Sequence, residues 1–184
     1  MPNNPLAHHR KSIRLKGYDY TCPGAYFVTI VTHRRACVFG EIAGGVMRLN
    51  EWGEIARLEW VETAAIRREI ELDEFVIMPN HIHGIVIIME CENGLVGATG
   101  RSPLRSTMPC GPANKSLASL IAGYKSAVTT HINAIRATPG APVWQRNYWE
   151  HIIRDDGDLS HIRDYIHNNP VQWETDVENG GDPA

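Results

Sequence analysis

From His81 to Met89 the chain reads HIHGIVIIM, with apolar residues on both faces of any extended strand. A strand that is apolar on both faces has to lie inside a sheet covered on both sides. Its neighbour, Leu72 to Met78 (LDEFVIM), is a second strand, and Pro79-Asn80 between them leaves room only for a tight hairpin. Ala25 to Thr32 (AYFVTIVT) is rich in β-branched and aromatic residues and forms another buried strand. The central sheet is therefore expected to be antiparallel.

The remaining segments supply its cover. Asn50 is an N-cap for a helix running to about Arg68, with Trp52, Ile55, Ala56, Leu58, Ala65 and Ile66 on its apolar positions. A second helix starts at Ser116 and repeats Leu117, Leu120, Ile121, Tyr124, Val128 and Ile132 before Pro139-Gly140 ends it. Val143 to Ile153 contains a fourth strand. Asp155 to Asp158 offer capping carboxylates for a last helix, whose stripe is Leu159, Ile162 and Ile166 and which Pro170 stops. Gly40 to Gly45 is expected to form turns, and Val46 to Leu49 a short strand. The order fits a layered α+β protein, with a ferredoxin-like antiparallel sheet and helices packed on it.

One domain is expected over residues 19–173, with a basic arm at 1–18, a Gly- and Pro-rich flexible loop at 90–114 and an acidic, fraying tail at 174–184. The 184 residues are 43% hydrophobic and 21% charged, enough to bury a core without metal or disulfides. The four cysteines form no C-x-x-C pair, so reduced thiols are expected. The longest apolar run is too short to span a bilayer, and the start carries no apolar signal core, so a cytoplasmic location without membrane contact is expected. Net charge is −3, which on its own argues against nucleic acid, yet residues 1–35 hold six basic groups against one acidic group. A local basic arm can still attract phosphate.

Two residue pairs could carry chemistry. His81 and His83 are i and i+2 on a strand, so both imidazoles leave the same face and could share a metal ion. The same spacing suits two ordinary histidines beside a turn. Tyr165 and Asn169 are i and i+4 on the last helix, one turn apart on one face. From the pattern alone, core packing of the tyrosine with a C-capping asparagine explains that pair better. Tyr124 fits a core position, and Tyr148 and Trp149 alternate on a strand, so that one could stack on a base. The candidate phosphate contacts are Arg10, Lys11, Arg14, Lys16, Arg34, Arg35, Lys125 and Arg146.

Read together, MPNHIHGIVI and the later WQRNYWEHIIRDDGDLSHIRDYIHNNP resemble the HUH single-tyrosine transposases, most of all the REP-associated tyrosine transposases. The resemblance also takes in RKSIRLKGYDYTCPGAYFVTIVTHRR and YKSAVTTHIN, and covers about residues 10 to 173. It implies a ferredoxin-like enzyme that cuts and rejoins single-stranded DNA through a 5′-phosphotyrosine, on hairpin-forming repeats. It implies His81, Ile82 and His83 as the histidine–hydrophobe–histidine motif, Tyr165 as nucleophile and Asn169 as the amide metal ligand, with Mg²⁺ or Mn²⁺ as the cation. Insertion-sequence members commonly carry glutamine at the amide position, where this chain has the shorter asparagine. The partner so implied is single-stranded or hairpin DNA, with monomer and homodimer both open. Two other readings remain: a descendant that binds DNA hairpins without cutting them, and a metal-dependent hydrolase with no covalent intermediate.

Overall fold

A computed structural model describes residues 23–89, 116–176 and 178–179. The arm residues 1–18 and the loop 90–114 named above lie outside these.

The chain runs β1 (Gly24–Val31), β2 (Gly40–Ala43), β3 (Val46–Leu49), α1 (Glu51–Ile66), β4 (Ile70–Ile77), β5 (His81–Ile88), α2 (Leu117–Ile135), β6 (Trp149–Ile153) and α3 (Asp156–Asn168). Four strands form one sheet in the order β4-β5-β1-β6, and every pairing is antiparallel. β5 thus lies between β4 and β1, which α1 connects. This is the split βαβ arrangement of a ferredoxin-like α+β fold, as the strand and helix patterns led us to expect.

Helix starts follow the capping residues. Asn50 Oδ1 accepts from the backbone N–H of Trp52 and Gly53, Ser116 accepts from Ser119, and Asp155 accepts from Asp158. Each capping side chain satisfies donors that a helix start leaves without intrahelical partners.

The sheet separates two apolar clusters. On one face α1 and α2 cover Tyr26, Val28, Ile30, Ile82, Val86 and Ile88 with Trp60, Leu120, Tyr124 and Val128. On the other face α3 places Ile162 and Ile166 on Phe27 and Ile85. β5 is buried on both faces as its composition requires.

One segment differs from expectation. Gly40 to Ala43 is a strand, paired with Val46–Leu49, and only Gly44-Gly45 forms the turn, both at positive φ. The fourth sheet strand lies within Val143–Ile153 as expected, at Trp149–Ile153; before it, Trp144 makes an isolated bridge to Thr32, and the chain breaks at Asn147, whose φ is +65°.

Gly84, central in β5, faces α1. A Cβ there would lie 2.6 Å from Trp60 Cζ2 and 3.3 Å from Phe75 Cβ. The indole is fully buried, with Phe75 and Tyr124 as ring neighbours. Gly84→Ala is expected to destabilise the protein by about 1–3 kcal/mol through overpacking. Urea unfolding measures it, and wild-type stability would contradict the close approach.

Candidate active site

His81 and His83 are adjacent same-face residues of β5, both fully buried, with ring centroids 4.4 Å apart. Each ring is held by a hydrogen bond at Nδ1. His81 Nδ1 lies 2.8 Å from Asn80 Oδ1, and His83 Nδ1 lies 2.8 Å from Thr29 Oγ1 on β1. Assigning the ring proton to Nδ1 in both leaves Nε2 as the nitrogen that each can offer to a ligand. Phe27, stacked 5.3 Å from the His83 ring, completes the packing around it.

Asn80 organises the neighbourhood beyond His81. Its backbone closes the Pro79-Asn80 turn region, with Thr32 N–H donating to Asn80 O at 2.9 Å. Its side-chain amide donates to Arg35 O at 3.2 Å and to Glu178 O at 2.7 Å. One fully buried side chain therefore joins β5, the turn after β1 and the C-terminal segment.

α3 brings Tyr165 and Asn169 to this face. The Tyr165 hydroxyl lies 3.2 Å from His83 Nε2, and its ring meets Phe27 edge-on at 6.0 Å. Burial pushes the phenol pKa far above its usual value near 10. The Asp176 and Glu178 carboxylates raise it further, and a hydrogen bond with Asn169 opposes them. The phenol is thus neutral at ordinary pH. Asn169 caps α3 and is almost fully buried. Its Nδ2 donates to Asp176 Oδ2 at 2.7 Å, while its Oδ1 is buried with no hydrogen-bond partner among the described residues.

The C-terminal segment, expected to fray, folds back over the histidines as far as it is described. Trp173 lies 6.0 Å from the His81 ring, and Glu178 is buried against Arg35 at 3.1 Å. One ligand atom each from His81, His83 and Asp176 lies within 4.8 Å of the others, a group that could hold a metal ion. The group offers two imidazole nitrogens and a carboxylate oxygen, a mixed N/O donor set for a divalent cation. Asp176 was not singled out from the sequence. It lies seven residues beyond Asn169, after Pro170, and no helical or strand spacing points to it.

The structure brings His81, His83, Tyr165 and Asn169 together. Arg34 is exposed on the turn after β1, and Arg35 beside it pairs with Glu178. Both hold positive φ, +55° and +53°. Lys125 lies on α2, across the sheet, where its ammonium donates to the carbonyls of Gln145 (2.9 Å) and Asn147. Burial lowers its pKa to about 8. Arg146 is exposed on the same loop. Tyr124 is a core residue, donating to Ala56 O at 3.0 Å. His151 on β6 bonds Asp158 of α3 at 2.8 Å. Arg10, Lys11, Arg14 and Lys16 lie outside the described residues. Among the described residues no helix is long and apolar enough to cross a membrane.

Thr29→Val removes the partner of His83 Nδ1 at nearly constant shape. It is expected to weaken Mn²⁺ binding by about 10-fold or more, as loss of such supporting bonds does elsewhere. Calorimetric titration with Mn²⁺ measures this; unaltered affinity would separate His83 from the metal.

No protein-family model matches the chain. An uncharacterized protein of Haemophilus influenzae is 41% identical over 174 residues, spanning 94% of each chain. A candidate REP-associated tyrosine transposase of the same organism is 27% identical over 158 residues, covering 84% of this chain and 74% of the relative. The REP-associated tyrosine transposase of Escherichia coli K12 is 26% identical over 105 residues, 57% of this chain and 47% of that one. In fold, a REP-associated tyrosine transposase solved bound to a REP hairpin matches with a TM-score of 0.54 at 20% identity, over 97% of this chain and 89% of the other. By distant sequence similarity and by fold, the chain is related to the REP-associated tyrosine transposases.

Proposed function

We propose that the protein nicks and rejoins single-stranded DNA through a covalent bond to Tyr165, acting on hairpin-forming repeats. The observation that carries this reading is the Tyr165 hydroxyl 3.2 Å from His83 Nε2, at the edge of the His81, His83 and Asp176 cluster. The distant relatives that are named as transposases support it, as does the related fold of a protein bound to a REP hairpin.

Tyr165 Oη attacks the scissile phosphorus, the bond from phosphorus to the 3′-oxygen breaks, and a 5′-phosphotyrosine forms. The phenol proton ends on the departing 3′-oxygen, so atoms and charge balance. The reverse attack by that 3′-hydroxyl rejoins strands without an external energy source. A divalent cation, Mg²⁺ or Mn²⁺, would be held by His81, His83 and Asp176, with Asn169 as a further candidate ligand, and would supply charge to polarise the phosphate. Asn80 and Thr29 orient the imidazoles, and burial beside Phe27 keeps the phenol ring in one place. Because burial holds the phenol neutral, its proton has to leave during attack rather than before it.

The test is incubation with a palindromic single-stranded oligonucleotide bearing unpaired flanks, with Mn²⁺, followed by denaturing electrophoresis. Wild type is expected to give a protein–DNA adduct. Tyr165→Phe is expected to give none while still binding the hairpin, and Tyr124→Phe and Tyr148→Phe to keep it. His81→Ala and His83→Ala are expected to lose cleavage. Hairpin binding without any adduct would favour the binding-only reading, and metal-dependent hydrolysis without an adduct the hydrolase.

The basic arm is proposed to contact phosphate, together with Arg34 and Arg35. Deleting residues 1–16 removes Arg10, Lys11, Arg14 and Lys16. The slope of log affinity against log salt should then flatten by roughly 0.7 for every phosphate of a single strand that the arm neutralises. An unchanged slope in filter-binding titrations would show that the arm does not touch DNA.

A further inference from the structure

We infer that Asp73 and Arg163 form a positioning pair that sets the roll of α3 and with it the reach of Tyr165 over His83. The inference rests on the covalent reading above only in its kinetic test.

β4 carries an extra residue against β5. Leu72 pairs with Val86 and Phe75 with Gly84, so three steps on one strand match two on the other. Bulges of this kind bend a strand and re-aim its side chains, often beside active sites. Here the bulge lets Leu72 and Phe75 both pack toward the α1 and α2 core. Asp73 is left to reach α3 on the opposite face. Its Oδ1 accepts the backbone N–H of Glu74 at 2.8 Å, which fixes the carboxylate.

Arg163 meets that carboxylate with a fork. Its Nε donates to Oδ1 at 3.2 Å and Oδ2 at 3.1 Å, and an Nη donates to Oδ2 at 2.5 Å. Two-pronged contacts of this type fix orientation as well as distance.

The helix geometry turns that contact into control of the tyrosine. Ile162 and Ile166 face the sheet. At about 100° per residue, Arg163 lies to one side of this stripe and Tyr165 to the other. Rolling α3 lifts one as it lowers the other. Apolar contact between Ile162, Ile166, Phe27 and Ile85 is non-directional and resists roll poorly. The polar ties do resist it. Asp158, in the first turn of α3, holds His151 on β6 at 2.8 Å, and Arg163 holds β4, so the ties lie on the two edge strands of the sheet. A roll of about 10° moves a group ~6 Å from the axis by about 1 Å. Misplacement by that distance can slow a reaction by about 100-fold. The Arg163 side chain is 46% exposed, so the pair adds little to stability and its loss should register in position instead.

The test uses Arg163→Ala, Asp73→Ala and the double variant. Each single variant should slow single-turnover adduct formation by about 10-fold or more, and bind the hairpin oligonucleotide within about twofold of wild type. Melting temperature should stay at the wild-type value. The double variant should be no slower than the slower single, because both act through one contact. A second readout needs no DNA: with 3-fluorotyrosine in all six tyrosines, the resonance that disappears in Tyr165→Phe should shift or broaden alike in the three variants. Wild-type adduct rates in both single variants, effects that multiply in the double, or an unmoved Tyr165 resonance each overturn the inference. If wild type itself forms no adduct, the covalent chemistry falls, and the fluorine resonance alone decides the positioning.

Discussion

Two imidazoles on a central strand, wholly removed from water, are the constraint to which the surrounding structure answers. A buried polar ring is costly unless its nitrogens find partners. Thr29 therefore has to stand opposite His83 in the β1–β5 register, and Asn80 has to turn its carbonyl toward His81. Asn80 in turn needs acceptors for its amide, and finds them in Arg35 O and Glu178 O. The path of the chain after β1 and the return of its C-terminal segment are thus tied to the hydrogen-bonding needs of one hairpin.

The local part of this design was legible in the sequence. Asn50, Ser116 and Asp155 cap the helices they announce. HIHGIVIIM forms the doubly covered strand its composition demands, and Tyr165 and Asn169 share a face because helical spacing requires it. What could not be read depends on contacts between distant residues. Glu178 is 98 residues from Asn80, and Thr29 is 54 from His83. An acidic, Gly-rich ending has the composition of a loose tail, and contacts with the distant Arg35, Asn80 and His81 and with Asn169 give its described part a place to dock. Gly40 misled in the opposite way. Its glycine suggested a turn, whereas its φ of +144° and the close approach of the Arg48 backbone place it within a strand pair. Lys125 has the composition of a phosphate ligand, but its ammonium is occupied by two loop carbonyls.

The sheet also divides labour. The larger cluster, built by α1 and α2 around Trp60 and Tyr124, lies on the face away from Tyr165. The face that carries the histidines is closed by a much smaller set, Phe27, Ile85, Ile162 and Ile166. Stability is concentrated on one side and the candidate chemistry on the other.

For a lineage of such proteins, this division loosens the link between staying folded and staying active. A substitution at Tyr165, Asp176 or Asn169 touches few of the residues that hold the larger core together. The scaffold can therefore outlive the proposed reaction. A chain without Tyr165, the proposed nucleophile, still presents the same sheet edges and the same turn with Arg34 and Arg35. Inheritance of shape without inheritance of catalysis follows from where the glycine at 84 lets Trp60 sit: behind the sheet, out of reach of the reacting groups.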